Sequence, residues 1–154
     1  MNNNHRSFVC GIKGKHLSDK EKKFLMKYKP WGIILFSRNI KSIQQTQMLT
    51  NSIKKIFKNE NYPILIDEEG GRVSRLKNFI DNSIFTAKYF GDLYKTNNKK
   101  FDLYYSVYIK QISYLLRTLG ININSVPVLD VRRFKSHNII GDRSYSSDKT
   151  IVSK

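Results

Sequence analysis

The sequence predicts an α/β protein: the N-terminal half of a (β/α)8 barrel, about four βα units over residues 1–154 with the last helix truncated. Three observations predict it. Short runs that are apolar throughout, GIILF at Gly32–Phe36 and PILI at Pro63–Ile66, read as parallel strands buried on both faces. Between the strands lie segments with apolar residues at helical spacing. Polar and charged residues collect just after the strands, at the sheet end where parallel α/β proteins form their ligand crevice. Such barrels usually run to ~250 residues, so four units make half of one. A four-stranded doubly wound domain is the alternative, and it requires a complete final helix.

Each element has a local cause. SFVCGI at Ser7–Ile12 is a short apolar run before Gly14 and reads as the first strand. Ser18 with Glu21 is a capping-box signature, and Phe24, Leu25 and Tyr28 follow on one helical face until Pro30 ends the helix. After the second strand, Ser42 and Gln45 read as a second capping box, with Leu49, Ile53 and Ile56 at helical spacing to about Lys58. The third strand, Pro63–Ile66, delivers Asp67 at its C-terminal end. A Gly-rich charged loop and a short connecting segment lead to the longest helix, about Lys99–Leu119. Its stripe of Phe101, Tyr105, Tyr108, Ile112, Leu115 and Leu119 is core packing, and Gly120 is its C′ residue. Ile121–Leu129 reads as a fourth strand ending at Asp130. Ser146-Ser147-Asp148 then marks the start of a helix about two turns before Lys154.

Composition narrows the function classes. The longest apolar stretch, Trp31–Phe36, falls far short of the ~18 residues of a membrane span. The N-terminus has no apolar signal region, and the single Cys10 permits no intrachain disulfide, so the expected compartment is the cytoplasm. The net charge of +16 raises a basic module for nucleic acid or an acidic surface. Its lysines are scattered (Lys20, Lys22, Lys23, Lys27; Lys54, Lys55, Lys58; Lys95, Lys99, Lys100), and the chain is rich in Asn and Ile, which favours a solvated surface.

Three strand ends are chemically rich: Phe36-Ser37-Arg38-Asn39, Asp67–Arg75, and Asp130 with the Gly141-Asp142-Arg143-Ser144-Tyr145 loop. Asp67 directly after a hydrophobic strand suits hydrogen bonding to ligand hydroxyls. Gly70-Gly71 permits a sharp turn and close backbone approach. Arg72 and Arg75 can return a guanidinium over the mouth. A solvated charged turn with one internal ion pair is the bland alternative.

ILFSRNI at Ile34–Ile40, LIDEEGGRVSRL at Leu65–Leu76, VPVLDV at Val126–Val131 and IGDRSY at Ile140–Tyr145 stand in one order and spacing. Together they resemble the bacterial β-N-acetylhexosaminidases of glycoside hydrolase family three, from about residue 7 to the end. The resemblance implies a cytoplasmic barrel enzyme that removes terminal N-acetylglucosamine from anhydro-muropeptides in peptidoglycan recycling, by a retaining mechanism through a covalent intermediate. It implies substrate-binding roles for Asp67, which holds sugar hydroxyls, and for Arg75 and Arg143. Asp130 is expected to be structural. Glu68 stands where many relatives carry glutamine, and strand alternation would turn it away from Asp67.

The family's Lys-His pair, the histidine of its Gly-rich catalytic loop and its nucleophilic aspartate all correspond to positions beyond Lys154. No catalytic residue, cofactor or metal is therefore expected in this chain. His5, His16 and His137 match no motif and read as surface residues. Retaining hydrolysis needs a nucleophile and an acid/base facing each other, at ~5 Å when both are carboxylates, which the adjacent Asp67, Glu68 and Glu69 do not supply. The expected partner is an N-acetylglucosamine-containing saccharide, and the 154 residues alone are expected to be inactive. Half a barrel would leave open edges and an exposed inner face, to be covered by the missing half or by self-association. A metal-assisted hydrolase using Asp67, Glu69 and Asp130 as oxygen ligands is a third reading, without supporting His or Cys spacing.

Overall fold

The computed structural model describes residues 5–133 and 137–154. Met1–Asn4 and Phe134–Ser136, the latter in the polar loop expected after the fourth strand, lie outside the described residues. The chain divides into two compact units. The first comprises residues up to Asp67 with Tyr114–Asn124, and the second Glu68–Ser113 with Ser125–Lys154.

The first unit is a four-stranded parallel sheet: β1 (Arg6–Gly11), β2 (Pro30–Leu35), β3 (Ile64–Ile66) and β4 (Ile123–Asn124), in the order β1-β2-β3-β4. Cys10 pairs with Ile33, Ile33 with Ile64 and Leu65 with Ile123. A strand order that never reverses is barrel winding; doubly wound sheets reverse at a switch point, so the doubly wound alternative is set aside.

Helices α1 (Asp19–Tyr28) and α2 (Ile43–Phe57) cross between the first three strands. Ser18 and Glu21 form the expected box. The Ser18 hydroxyl accepts from the Glu21 N–H at 3.3 Å, and the Glu21 carboxylate accepts the Ser18 N–H at 2.9 Å. The second box does not close. Ser42 Oγ accepts from the Gln45 N–H at 3.2 Å, but Gln45 Oε1 takes the Lys41 N–H instead, at 2.9 Å. On α1 only Leu25 is buried, and Phe24 stands exposed. Pro30, instead of trailing the helix, opens β2, while Lys29 caps α1 in the left-handed region at φ 45°.

The fourth strand is far shorter than Ile121–Leu129. Pro127 has no N–H to give a ladder, which removes one bond from the middle of the expected run. The Asn122 side chain replaces regular pairing by accepting the Ile64 N–H at 2.8 Å.

A helix missing from the sequence reading, α3 (Ala87–Thr96), opens the helical part of the second unit, where only a connecting segment was expected. Thr86 caps it by accepting the Tyr89 N–H at 3.0 Å. Phe85, just before the cap, stacks 6.0 Å from Phe90, a hydrophobic staple that fixes the entry of the chain. The longest helix, α4 (Asn98–Thr118), runs as expected. Gly120 at φ 77° ends it in a Schellman motif, donating to Arg117 O while Ile121 donates to Leu116 O, both at 2.9 Å. Leu116, not Leu115, is the residue it buries fully in its last turn.

Phe90 is the centre of an aromatic cluster, with Tyr105 at 4.8 Å and Tyr108 at 5.2 Å, and Phe101 stacks on Tyr105 at 5.1 Å. The stripe is core packing, as its spacing predicts, although Phe101 and Tyr105 are only half-buried. The chain finishes in α5 (Lys149–Val152), whose cap Asp148 accepts the Thr150 N–H at 2.8 Å. No helix among the described residues is long and apolar enough to cross a membrane.

Candidate functional site

Two of the three polar strand ends belong wholly or partly to the sheet unit. After β2, the chain makes a 3-10 turn at Ser37–Asn39. Asn39 is fully buried, and its amide donates to Ile12 O at 3.2 Å and Gly14 O at 2.8 Å. Arg38 Nε donates to Ile12 O at 3.0 Å, with its guanidinium over the Phe36 ring. This strand end is thus a clip that holds the end of β1. Asp67, the first residue after β3, is half-buried.

The second unit opens with the Gly-rich loop. Gly70 and Gly71 adopt φ 84° and 57°, the positive region that favours glycine. A Cβ on Gly70 would come within 2.2 Å of Phe85 O. The Glu69 N–H donates to Val73 O at 3.0 Å and the Val73 N–H to Gly70 O at 3.2 Å, closing the turn.

Glu68 holds this loop from inside. It is 2% exposed, and its carboxylate accepts the N–H groups of Arg75 (2.6 Å) and Leu76 (3.0 Å) and the Asn82 amide (2.6 Å). A buried carboxylate is tolerable when donors surround it in this way. Burial, with the Glu68 charge nearby, pushes the Tyr108 phenol up to about 12.

Glu69 turns to the Ile140–Tyr145 segment. Arg143 grips it with both arms of the fork, Nε to Oε2 at 2.7 Å and Nη2 to Oε1 at 2.8 Å. A second cation crosses beside it. Arg72 Nε lies 3.0 Å from Asp142 Oδ1, and Arg72 Nη2 donates to the carbonyls of Asn138, Ile139 and Ile140 at 2.9, 2.6 and 2.9 Å. Gly141, at φ 47°, leaves room for that guanidinium, since a Cβ there would meet Arg72 Nη2 at 3.0 Å.

The structure therefore sets the predicted residues in different surroundings. Asp67 directly follows β3 in the sheet unit. Arg75, half-buried, is fixed through its peptide N–H on Glu68, and Arg143 is fixed on Glu69. Arg72 does not reach back over a mouth; it clamps the 138–143 loop. Asp130 is structural through its carbonyl, which accepts the Ser144 hydroxyl at 2.6 Å. Glu69 and Asn82 were missed as partners. The ion pair joins residues 74 positions apart, and no local spacing announces it.

His16 and His137 are exposed as expected, but His5 is half-buried against Pro30 O at 3.2 Å. Its ring lies 5.7 Å from both Phe57 and Tyr62, a contact no motif signals. Among the described residues no three His, Cys, Asp or Glu side chains converge, so the metal-ligand reading of Asp67, Glu69 and Asp130 does not assemble.

With both glutamates of the loop saturated by donors, the loop is a scaffold that fixes arginines and backbone, not a pair of reacting carboxylates. A model of the glycosyl hydrolase family 3 N terminal domain matches residues 8–154. The chain belongs to that family. Among family relatives, a beta-hexosaminidase of Hydrogenovibrio crunogenus is 33% identical over 143 residues, covering 90% of this chain and 38% of the relative. One of Tolumonas auensis is 34% identical over 142 residues, covering 91% and 40%. Native NagZ from Neisseria gonorrhoeae superposes with a TM-score of 0.82 at 26% identity, covering 97% of this chain and 43% of that one. The same protein in complex with N-trifluoroacetyl-D-glucosamine gives 0.78 at 27% identity, covering 97% and 44%. This family 3 chain thus spans about two fifths of the relatives it matches, and its sheet matches part of the family's (β/α)8 barrel domain.

Proposed function

We propose that the chain is the N-terminal, sugar-binding portion of a β-N-acetylhexosaminidase that removes terminal N-acetylglucosamine from anhydro-muropeptides in cytoplasmic peptidoglycan recycling, by a retaining mechanism. The observation that carries this reading is the Asp67–Arg75 segment. It puts a carboxylate directly after β3 and follows it with a Gly-Gly turn whose Glu68 fixes the Arg75 backbone and whose Glu69 holds Arg143. In this reading Asp67 accepts hydrogen bonds from sugar hydroxyls, while Arg75 and Arg143 supply cationic donors, Arg143 being held in advance by Glu69. That a relative is held in complex with an N-acetylglucosamine derivative supports the choice of sugar.

The nucleophile and acid/base of a retaining enzyme are not supplied by Glu68 and Glu69: the Glu68 oxygens already accept hydrogen bonds within the loop and the Glu69 oxygens those of Arg143. The 154-residue chain is therefore expected to bind the sugar without turning it over. Titration of the chain with N-acetylglucosamine, followed by NMR, tests this: shifts confined to residues around Asp67, Arg75 and Arg143 and abolished in Asp67→Asn support it. Sustained release of nitrophenol from an aryl N-acetyl-β-glucosaminide by the purified chain would overturn the assignment of chemistry to groups outside it.

A further inference from the structure

The segment that carries Arg143 has a second side. In the second unit, Lys88, Asp92 and Lys95 of α3 line a cleft of about 110 Å³ together with Arg132, Gly141 and Ser144–Ser147. The volume is many times the roughly 10–15 Å³ that one water requires, so a tetrahedral anion has room.

The charges are unbalanced. Lys88, Asp92 and Lys95 fall at i, i+4 and i+7 and so share one face of α3. Asp92 is paired with Lys88. Lys95 and Arg132 make no ion pair among the described residues, which leaves the lining with three cations and one carboxylate. The wall opposite α3 is held firmly. The Arg132 N–H donates to Ser146 O at 3.2 Å, and the Ser144 hydroxyl bridges Asp130 O and Ser146 O at 2.6 and 2.9 Å. Gly91 seats α3 against this wall, since a Cβ there would lie 1.8 Å from Tyr145 O. In this cleft, cationic residues from two separate segments line one concavity.

We propose that this cleft binds a small oxyanion, a phosphate or carboxylate group, with Lys95 and Arg132 as its principal partners and Lys88 assisting. Guanidinium and ammonium together suit such a ligand: Arg132 offers paired N–H donors and Lys95 a compact point charge. Ser147, which also lines the cleft, adds a hydroxyl. The anion is either free in solution or a substituent of a larger ligand. Because Gly141 and Ser144 bound Arg143 on both sides in sequence, occupancy of the cleft would also steady the turn that delivers Arg143.

The test uses inorganic phosphate and, separately, succinate, titrated into the chain at constant ionic strength against chloride while melting temperature and heat are recorded. No saccharide is involved, so the outcome is independent of the proposed glycosidase function. Saturable stabilisation is expected, with apparent affinity falling about tenfold or more in K95E/R132E but kept in K20E/K23E, which changes the same charge on α1. A response to phosphate alone marks a tetrahedral-anion site, and a response to both ligands a general oxyanion site; either supports the proposal. Equal shifts in both double variants, or no saturable effect with either anion, would overturn it.

Discussion

Glu68 shows how much a single side chain can decide. Its buried oxygens take three donors, two of them backbone N–H groups, those of Arg75 and Leu76. Removing it in Glu68→Ala strands those donors, at about 1–3 kcal/mol each where water cannot enter. We expect a loss of at least about 3 kcal/mol in urea denaturation. Glu68→Gln behaves differently. One amide oxygen can still accept both N–H groups, and Asn82 need only rotate its amide to present oxygen to the new NH2. The expected cost is about 1 kcal/mol or less, which accords with the glutamine that the resemblance associates with this position. A loss as large as that of the alanine variant would mean that Asn82 cannot turn.

Gly91 makes the same point at the scale of an element. In an exposed helix interior, Gly→Ala stabilises by about 1 kcal/mol. In α3 the sign reverses, because the added Cβ would lie 1.8 Å from Tyr145 O, a main-chain atom. Gly91→Ala should destabilise the chain by about 2 kcal/mol or more, visible as a lower melting temperature. The aromatic elements beside it set a pH limit. Burial raises the phenols of Tyr108, to about 12, and of Tyr145. A group whose folded pKa lies above its unfolded value contributes fully below the unfolded pKa, near 10, and its contribution fades as pH rises through the folded one. Stability should therefore decline from about pH 10 to about 12, less steeply in Tyr108→Phe, as denaturant titrations at pH 9 and about pH 11 would show.

The elements also mark how far the sequence can be read. The strands β2 and β3, the Ser18–Glu21 box and the Gly120 cap follow from residues within four or five positions of one another, and each formed. The Phe85-Thr86 staple and cap were equally local, yet the charged loop before them hid α3. The fourth strand formed but stops at Asn124, short of Leu129, and Pro127 in the rest of the apolar run has no N–H to give a ladder. In the candidate site the composition was legible and the pairing was not. Asp67, Arg75 and Arg143 stood out by position, whereas Arg72 with the 138–140 carbonyls and Glu69 with Arg143 join segments more than 60 residues apart, a match that only the folded chain specifies.

For the whole molecule, a net charge of +16 makes self-repulsion a standing cost. Screening relieves it. Raising sodium chloride from about 10 mM to about 150 mM shortens the reach of surface charges to about 8 Å and should raise the melting temperature. A fall instead would mean that ion pairs such as Lys22–Asp19 outweigh the repulsion. The same charge makes weak, salt-sensitive association with polyanions an expected background, against which saturable binding in the cationic cleft must be distinguished.

Cys10 gives this fold a clock. It is the chain's one thiol, half-covered in β1 with its pKa raised by burial, so the reactive thiolate is scarce while the strand stays in place. Modification by a thiol reagent is then expected to be slower in the folded chain than in an unfolded reference, and the ratio of the two rates follows any loosening of β1 with no probe added to the chain.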